Sequence, residues 1–211
     1  LQGYRLTNTG TTPLWLTETV TGTPREAPDA VNAGMTLRVS MLTMSGDPYD
    51  PGQGHQNDRF IVLVQGEAQD RNAHHCLLTD LLPAGWEIES LVQAHGHGMG
   101  RDRDGDEGTD DDDGREASQS GGSMFASLGE LTVPHHVAIR DDRLTVAFDI
   151  AGGSYRPSDA DLLASNAFRL AYIVRAVAPG QFLRPETMVK DRFSPSVMAR
   201  SASSRIVIAP R

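Results

Sequence analysis

The chain has 211 residues, 38% of them hydrophobic, enough for one sizeable core, and its 21 Gly and 12 Pro imply many turns. A net charge of -9 excludes a nucleic-acid partner or an anionic membrane surface, since both need basic patches. No apolar run approaches the ~20 residues that span a bilayer, and a single cysteine excludes an internal disulfide and a Cys-based zinc finger.

In chain order, residues 4–9 and 13–21 read as two strands around a turn at Thr9-Gly10, with Leu14, Leu16 and Val20 on one face. Residues 25–34 form a connector rich in Pro, Ala and Asp. Residues 35–44 alternate, Met35, Leu37, Val39 and Met41 opposing Thr36, Arg38 and Ser40, which predicts a half-buried strand. SGDPYDPGQGHQ (45–56) is a loop by composition. Phe60 to Val64 is a short continuous apolar run, the pattern of a strand buried on both faces. Strands at 76–82 and 86–92 flank Pro83-Ala84-Gly85. Residues 97–123 are Gly, Asp and Ser with almost no apolar anchor, so they are expected to be flexible: they bury too little surface to offset ordering entropy.

Val137 to Ile139 and Leu144 to Ile150 are predicted strands joined across Asp141-Asp142. Ser158 and Asp161 before Leu162-Leu163 form a weak capping pattern for one helical turn. The next stretch, FRLAYIVRAVAPGQFLRP (168–185), is the spine of the chain. Phe168, Leu170, Tyr172, Val174 and Ala176 share one apolar face, while Arg169, Ala171, Ile173 and Arg175 share a mixed one. Pro179-Gly180 ends that strand, and Arg205 to Ala209 is the last one. Eight or nine strands without a long helix predict an all-β, antiparallel Greek-key sandwich of immunoglobulin-like type.

Candidate chemistry is sparse. Cys76 stands two residues after His74, so a thiol and an imidazole share a strand face. Its apolar surroundings nevertheless predict a buried core cysteine. Histidines cluster at His74-His75, His95 with His97, and His135-His136, with no third ligand at a zinc-motif spacing, so edge positions are expected. In DRDGDEGTDDDDG (102–114), Asp102, Asp104, Asp106 and Asp113 match ligand positions of a calcium loop. Glu107 stands where that loop needs Gly, and Asp113 where a bidentate Glu is needed, so a solvated acidic loop is the simpler expectation. No Gly-x-Ser-x-Gly elbow, P-loop or dinucleotide fingerprint is present, and no cofactor motif other than this calcium match. Nothing in the residues points to an enzyme.

Five blocks, in order, carry a resemblance: LTNTGTTPLWLTETVTGTP (6–24), NDRFIVLV (57–64), TDLLPAGWEIE (79–89), IRDDRLTVAFDI (139–150), and the spine continuing through ETMVKDRFSPSVMARSASSRIVI (186–208). Together they resemble the C-terminal macroglobulin-like domain of bacterial alpha-2-macroglobulins, over nearly the whole chain except about 94–126. The resemblance implies that residues 1–24 are strands of the preceding domain or pack on the sandwich edge, and that 25–211 is the terminal sandwich. The start on Leu1 reads as an excised fragment.

The resemblance further implies a periplasmic protease inhibitor, of a family often anchored through an N-terminal lipid. Its thioester, in a Cys-x-Glu-Gln motif of another domain, captures proteases after a bait region is cut. The implied partners are that thioester domain and, through the whole protein, target proteases, with no direct membrane insertion by this fragment. Cys76 is followed by Leu77, Leu78 and Thr79, so the thioester motif is not in this chain. Tyr49, as an exposed aromatic in the loop 45–57, and Tyr155, in the loop 151–161, are candidates for contact with a neighbouring domain, the equal alternative being that both close the core. A stand-alone adhesion or binding module, calcium-dependent through the acidic loop, is the competing reading.

Overall fold

The computed structural model describes residues 5, 7–19, 21, 29–92, 125–158 and 163–211. Among them the chain forms β1 (Val31–Ala33), β2 (Arg38–Thr43), β3 (Gly54–His55), β4 (Arg59–Glu67), β5 (His74–Leu81), β6 (Trp86–Leu91) and β7 (His136–Arg140). There follow β8 (Arg143–Ile150), β9 (Ala167–Ala176), β10 (Gly180–Arg184), β11 (Thr187–Asp191), β12 (Met198–Arg200) and β13 (Ser204–Ala209). No helix of these residues is long and apolar enough to cross a membrane.

The strands sort into a six-stranded sheet, β1-β12-β11-β5-β8-β7, a four-stranded sheet, β2-β4-β9-β6, and a small sheet, β10-β13-β3. Pairing is antiparallel apart from the short β13–β3 pair. Most successive strands change sheets, as where β4 and β6 lie in the four-stranded sheet and β5 between them in sequence lies in the six-stranded one, whereas β7–β8 and β11–β12 pair within one sheet. The expected all-β sandwich is what the sequence folds into.

β9 is the centre of its sheet, paired with β4 from Arg59↔Arg175 to Glu67↔Ala167 and with β6 on its other side. Phe168, Leu170, Tyr172, Val174 and Ala176 enter the main core with Phe60, Val62 and Val64 of β4 and Leu78, Val146 and Phe148 of the opposite sheet. Each large apolar side chain so buried stabilises by about 1.5–3 kcal/mol. The other face of β9 is covered as well: Ile61, Ala171 and Ile173 form a second cluster with Val92, Leu128 and Leu131. The segment 125–132 fastens itself there, since Thr132 N donates to Arg169 O (2.8 Å) and Arg169 Nη1 donates to Leu128 O (3.0 Å).

Three expectations need correction or placement. No strand forms among the described residues of 4–21: Leu14, Trp15 and Leu16 are exposed, and only the turn survives, with Asn8 Oδ1 accepting from Gly10 N at 2.9 Å. The reason is physical, because a strand needs a neighbour for its backbone N–H and C=O groups and none of the described strands pairs with this segment. The strand count exceeds nine because two- and three-residue strands such as β1, β3 and β12 carry no readable periodicity, and because β10 and β11 lie past the Pro179 break, outside the expected strands. The acidic stretch 97–123 lies outside the described residues, as does most of the expected helical turn near Ser158.

Candidate functional site

Two polar clusters sit beside β5, one buried and one exposed. His74, buried at the start of β5, is held at both ring nitrogens: Nδ1 lies 2.8 Å from Asp191 Oδ2 and Nε2 lies 2.7 Å from Asp70 Oδ1. Burial acts to lower the pKa of the imidazole, but the hydrogen bonds from Asp70 and Asp191 outweigh it, and the net shift is upward. Asp191 is likewise pushed up by burial, yet ends below the usual carboxylate range because His74 and the Phe193 and Ser194 amides hydrogen-bond to it. Those amides donate to Asp191 Oδ1 at 2.7 and 3.1 Å.

Asp191 thereby caps the turn between β11 and β12. Val197 N donates to Ser194 O (2.8 Å), and Asp191 N donates to Val197 O (3.0 Å), closing that turn on itself. Phe193 stands at its tip with 75% of its surface exposed. Its ring meets His75 edge-on at 5.2 Å, and the Arg192 guanidinium lies 5.9 Å from its centroid. Arg192 N is also tied to β5 through His75 O at 2.8 Å.

Next to Phe193, Asp149 of β8 accepts from two imidazoles, His75 at 2.8 Å and His135 at 3.0 Å. The His75 hydrogen bond, with help from His135, holds the Asp149 carboxyl below its ordinary range. These residues, with Cys76, Ala147, Phe148 and Arg192, line a shallow cavity of about 300 Å³. The result is an exposed aromatic on a capped turn, flanked by a polar floor.

Cys76 is fully buried, and burial, with the nearby charges of Asp191 and Asp149, pushes its thiol up to about 12. Its Sγ is 4.0 Å from His74 O and is not paired with the imidazole, so it is a core residue. His74 is the correction to the expected edge histidines: it is buried because Asp191, 117 residues away in sequence, reaches its ring.

Tyr49 is half-buried rather than exposed, stacked on Phe60 at 4.4 Å and donating to Asp58 at 3.1 Å; burial and then Asp58 push its hydroxyl well above the usual phenol range. Tyr155 is 65% exposed. Among the described residues, no group of three or more His, Cys, Asp or Glu side chains is arranged to hold a metal ion. His95, His97, Asp102, Asp104, Asp106 and Asp113 lie outside them. The reading of the sequence missed Phe193, although Asp191-Arg192-Phe193-Ser194-Pro195 is a capped-turn pattern with an aromatic inside it.

Comparison with known proteins places this geometry. The model of the bacterial alpha-2-macroglobulin MG10 domain matches residues 34–196. Alpha-2-macroglobulin of Escherichia coli is 27% identical over 206 residues, 97% of this chain and 11% of that protein. The Xylella fastidiosa protein of the same name is 29% identical over 196 residues, 93% of this chain and 10% of its own. The chain thus spans about a tenth of the curated relatives it matches.

Among solved structures, Salmonella alpha-2-macroglobulin reacted with methylamine shares the fold with a TM-score of 0.63 at 20% identity, over 90% of this chain and 10% of that one. Native Escherichia coli alpha-2-macroglobulin from domain MG7 to the C-terminus gives 0.61 at 24% identity, over 90% of this chain and 25% of that one. A family match running from Gly34 to Ser196 takes in both clusters beside β5 and the Phe193 turn, and the chain belongs to the family of bacterial alpha-2-macroglobulin MG10 domains.

Proposed function

We propose that this chain is a non-catalytic C-terminal domain of a protease-trapping alpha-2-macroglobulin, and that it covers a thioester carried by another domain of the same polypeptide. The observation that carries the reading is the family match over residues 34–196 in a chain that spans only a tenth of its relatives. A domain in such an array works through its faces toward its neighbours. The Phe193 turn suits that task, since it offers an exposed aromatic on a backbone fixed by Asp191. An apolar side chain laid over a thioester keeps water and small nucleophiles away from it.

Support comes also from the relatives. The Salmonella protein reacts with methylamine, and the Escherichia coli protein is activated by porcine elastase. Carried over to this polypeptide, a protease is the trigger and a thioester, which amines open, is the trap. The polypeptide acts in the periplasm. Residues 1–24 belong to the preceding domain, which accounts for Trp15 being wholly exposed and for the family match beginning after them. No observation favours the stand-alone adhesion module.

The test removes residues 25–211 from the full-length polypeptide and follows thiol release by methylamine. Faster release than in the intact protein is the expected result. Equal release shows that the domain does not cover the thioester.

A further inference from the structure

The Phe193 turn is held from below by one carboxylate with two duties. Asp191 Oδ1 accepts the Phe193 and Ser194 amides, and Asp191 Oδ2 faces His74 Nδ1. The other side of the ring faces Asp70, so both imidazole nitrogens point at carboxylate oxygens. A neutral imidazole has one N–H and one lone pair, so it can donate to only one of the two. The cation donates to both.

We infer that His74 is the positioning residue of the Phe193 turn and makes its seating pH-dependent: the charged ring, clamped between Asp70 and Asp191, latches the turn, and the neutral ring releases it. This rests on reading Phe193 as the cover of the thioester. The groups around the ring are Asp70 and Arg71 on the loop into β5, His75 and Cys76 on β5, Asp149 on β8, and Asp191 with Arg192 on the β11 side. Of these, the carboxylates of Asp70 and Asp191 reach the ring nitrogens, while Asp149 engages the exposed His75. Two carboxylates against one ring also explain why His74 titrates above its ordinary value despite burial. In the neutral ring that keeps its proton on Nε2, toward Asp70, a lone pair faces Asp191 Oδ2 and pushes that carboxylate away from the amides it caps.

The experiment uses the full-length polypeptide and methylamine as probe, reading released thiol from about pH 6 to about pH 9, a window that brackets a histidine raised above its usual value near 6.5. At each pH the rate is divided into that of Phe193→Ala, which cancels ionisation of the amine and the thioester's own reactivity. Protection in the wild type is expected to be several-fold at the acid end and to decline along a one-proton curve as pH rises. His74→Gln is expected to give pH-independent protection. Asp70→Asn changes a side chain that is 46% exposed, leaves the core intact, and is expected to move the midpoint down by about one pH unit. Parallel profiles for wild type and His74→Gln, or an unmoved midpoint in Asp70→Asn, overturn the latch while leaving the cover in place. If Phe193→Ala reacts no faster than wild type at any pH, the cover itself is wrong and the latch falls with it.

Discussion

The hydroxyl of Tyr172 donates a 2.6 Å hydrogen bond to Asp80 across the core, joining β9 of the four-stranded sheet to β5 of the six-stranded one. Thr187 of β11 donates to the same carboxylate at 2.9 Å, and Arg184 of β10 donates to Thr187 at 2.8 Å. All four side chains are almost wholly buried. Burial, then the Asp80 charge, pushes the Tyr172 hydroxyl far above its ordinary range, so it stays a donor at every physiological pH. One polar knot therefore ties all three sheets together.

Tyr172→Phe keeps the ring and removes that donor from a charged acceptor. The expected cost is about 1.5–3 kcal/mol, read as a lower denaturant midpoint with an unchanged slope. Tyr172→Asp places a second carboxylate beside Asp80 and is expected to prevent folding. An unchanged midpoint for Tyr172→Phe shows that the knot contributes nothing to stability.

The pH dependence of stability follows from two opposite shifts. Asp191 is held below its ordinary value, so its contribution is present above about pH 4 and is lost as pH falls through the folded value. His74 is raised, so its contribution is present below about pH 6.5 and is lost as pH rises through its folded value. The stability profile is expected to be a dome, with Asp191→Asn flattening both limbs because it removes a partner from each. Equal acid limbs in wild type and Asp191→Asn contradict the assignment.

Deleting residues 97–123 and joining the ends with a short Gly/Ser link is expected to leave the melting temperature nearly unchanged, since loop closure entropy varies slowly with length. Leu128→Ala, a few residues beyond the deletion, is expected to cost about 2–5 kcal/mol, because Leu128 is buried over Ile61 and Ala171. Calcium stabilisation of the intact chain that the deletion abolishes establishes the acidic stretch as a metal site.

Glu89 accepts from Arg59 Nε at 2.8 Å and from Arg175 Nε at 2.7 Å on the sheet surface. Both arginines are about half exposed, so Glu89→Gln is expected to cost less than about 1 kcal/mol, and less still in high salt. A larger or salt-independent loss makes this clamp part of the core rather than of the surface.

The strands of the core were legible in the residues. β4 announces itself because apolar side chains on both faces of a short run have one stable place, the middle of a sheet, and β9 because one of its faces is apolar from Phe168 to Ala176. The mixed face of β9 was equally legible as half-polar, but its cover was not, because Leu128 and Leu131 arrive from beyond a long polar stretch. The strands expected near Leu14 and Leu16 had the right local pattern and failed for want of a neighbour, since backbone pairing is not encoded locally.

What the sequence determined by itself is the alternation that sorts each strand's side chains inward or outward, the turn at Asp141-Asp142, the end of β9 before Pro179, and the burial of Cys76. The tertiary structure alone decided which polar groups meet. His74 and Asp191 are 117 residues apart, and Tyr172 and Asp80 are 92 apart. It also decided that Tyr49 spends its ring on Phe60 while Phe193 stays exposed. Period and propensity are short-range properties of a chain, whereas the exposure of an aromatic and the partner of a buried charge depend on which strands the fold brings side by side.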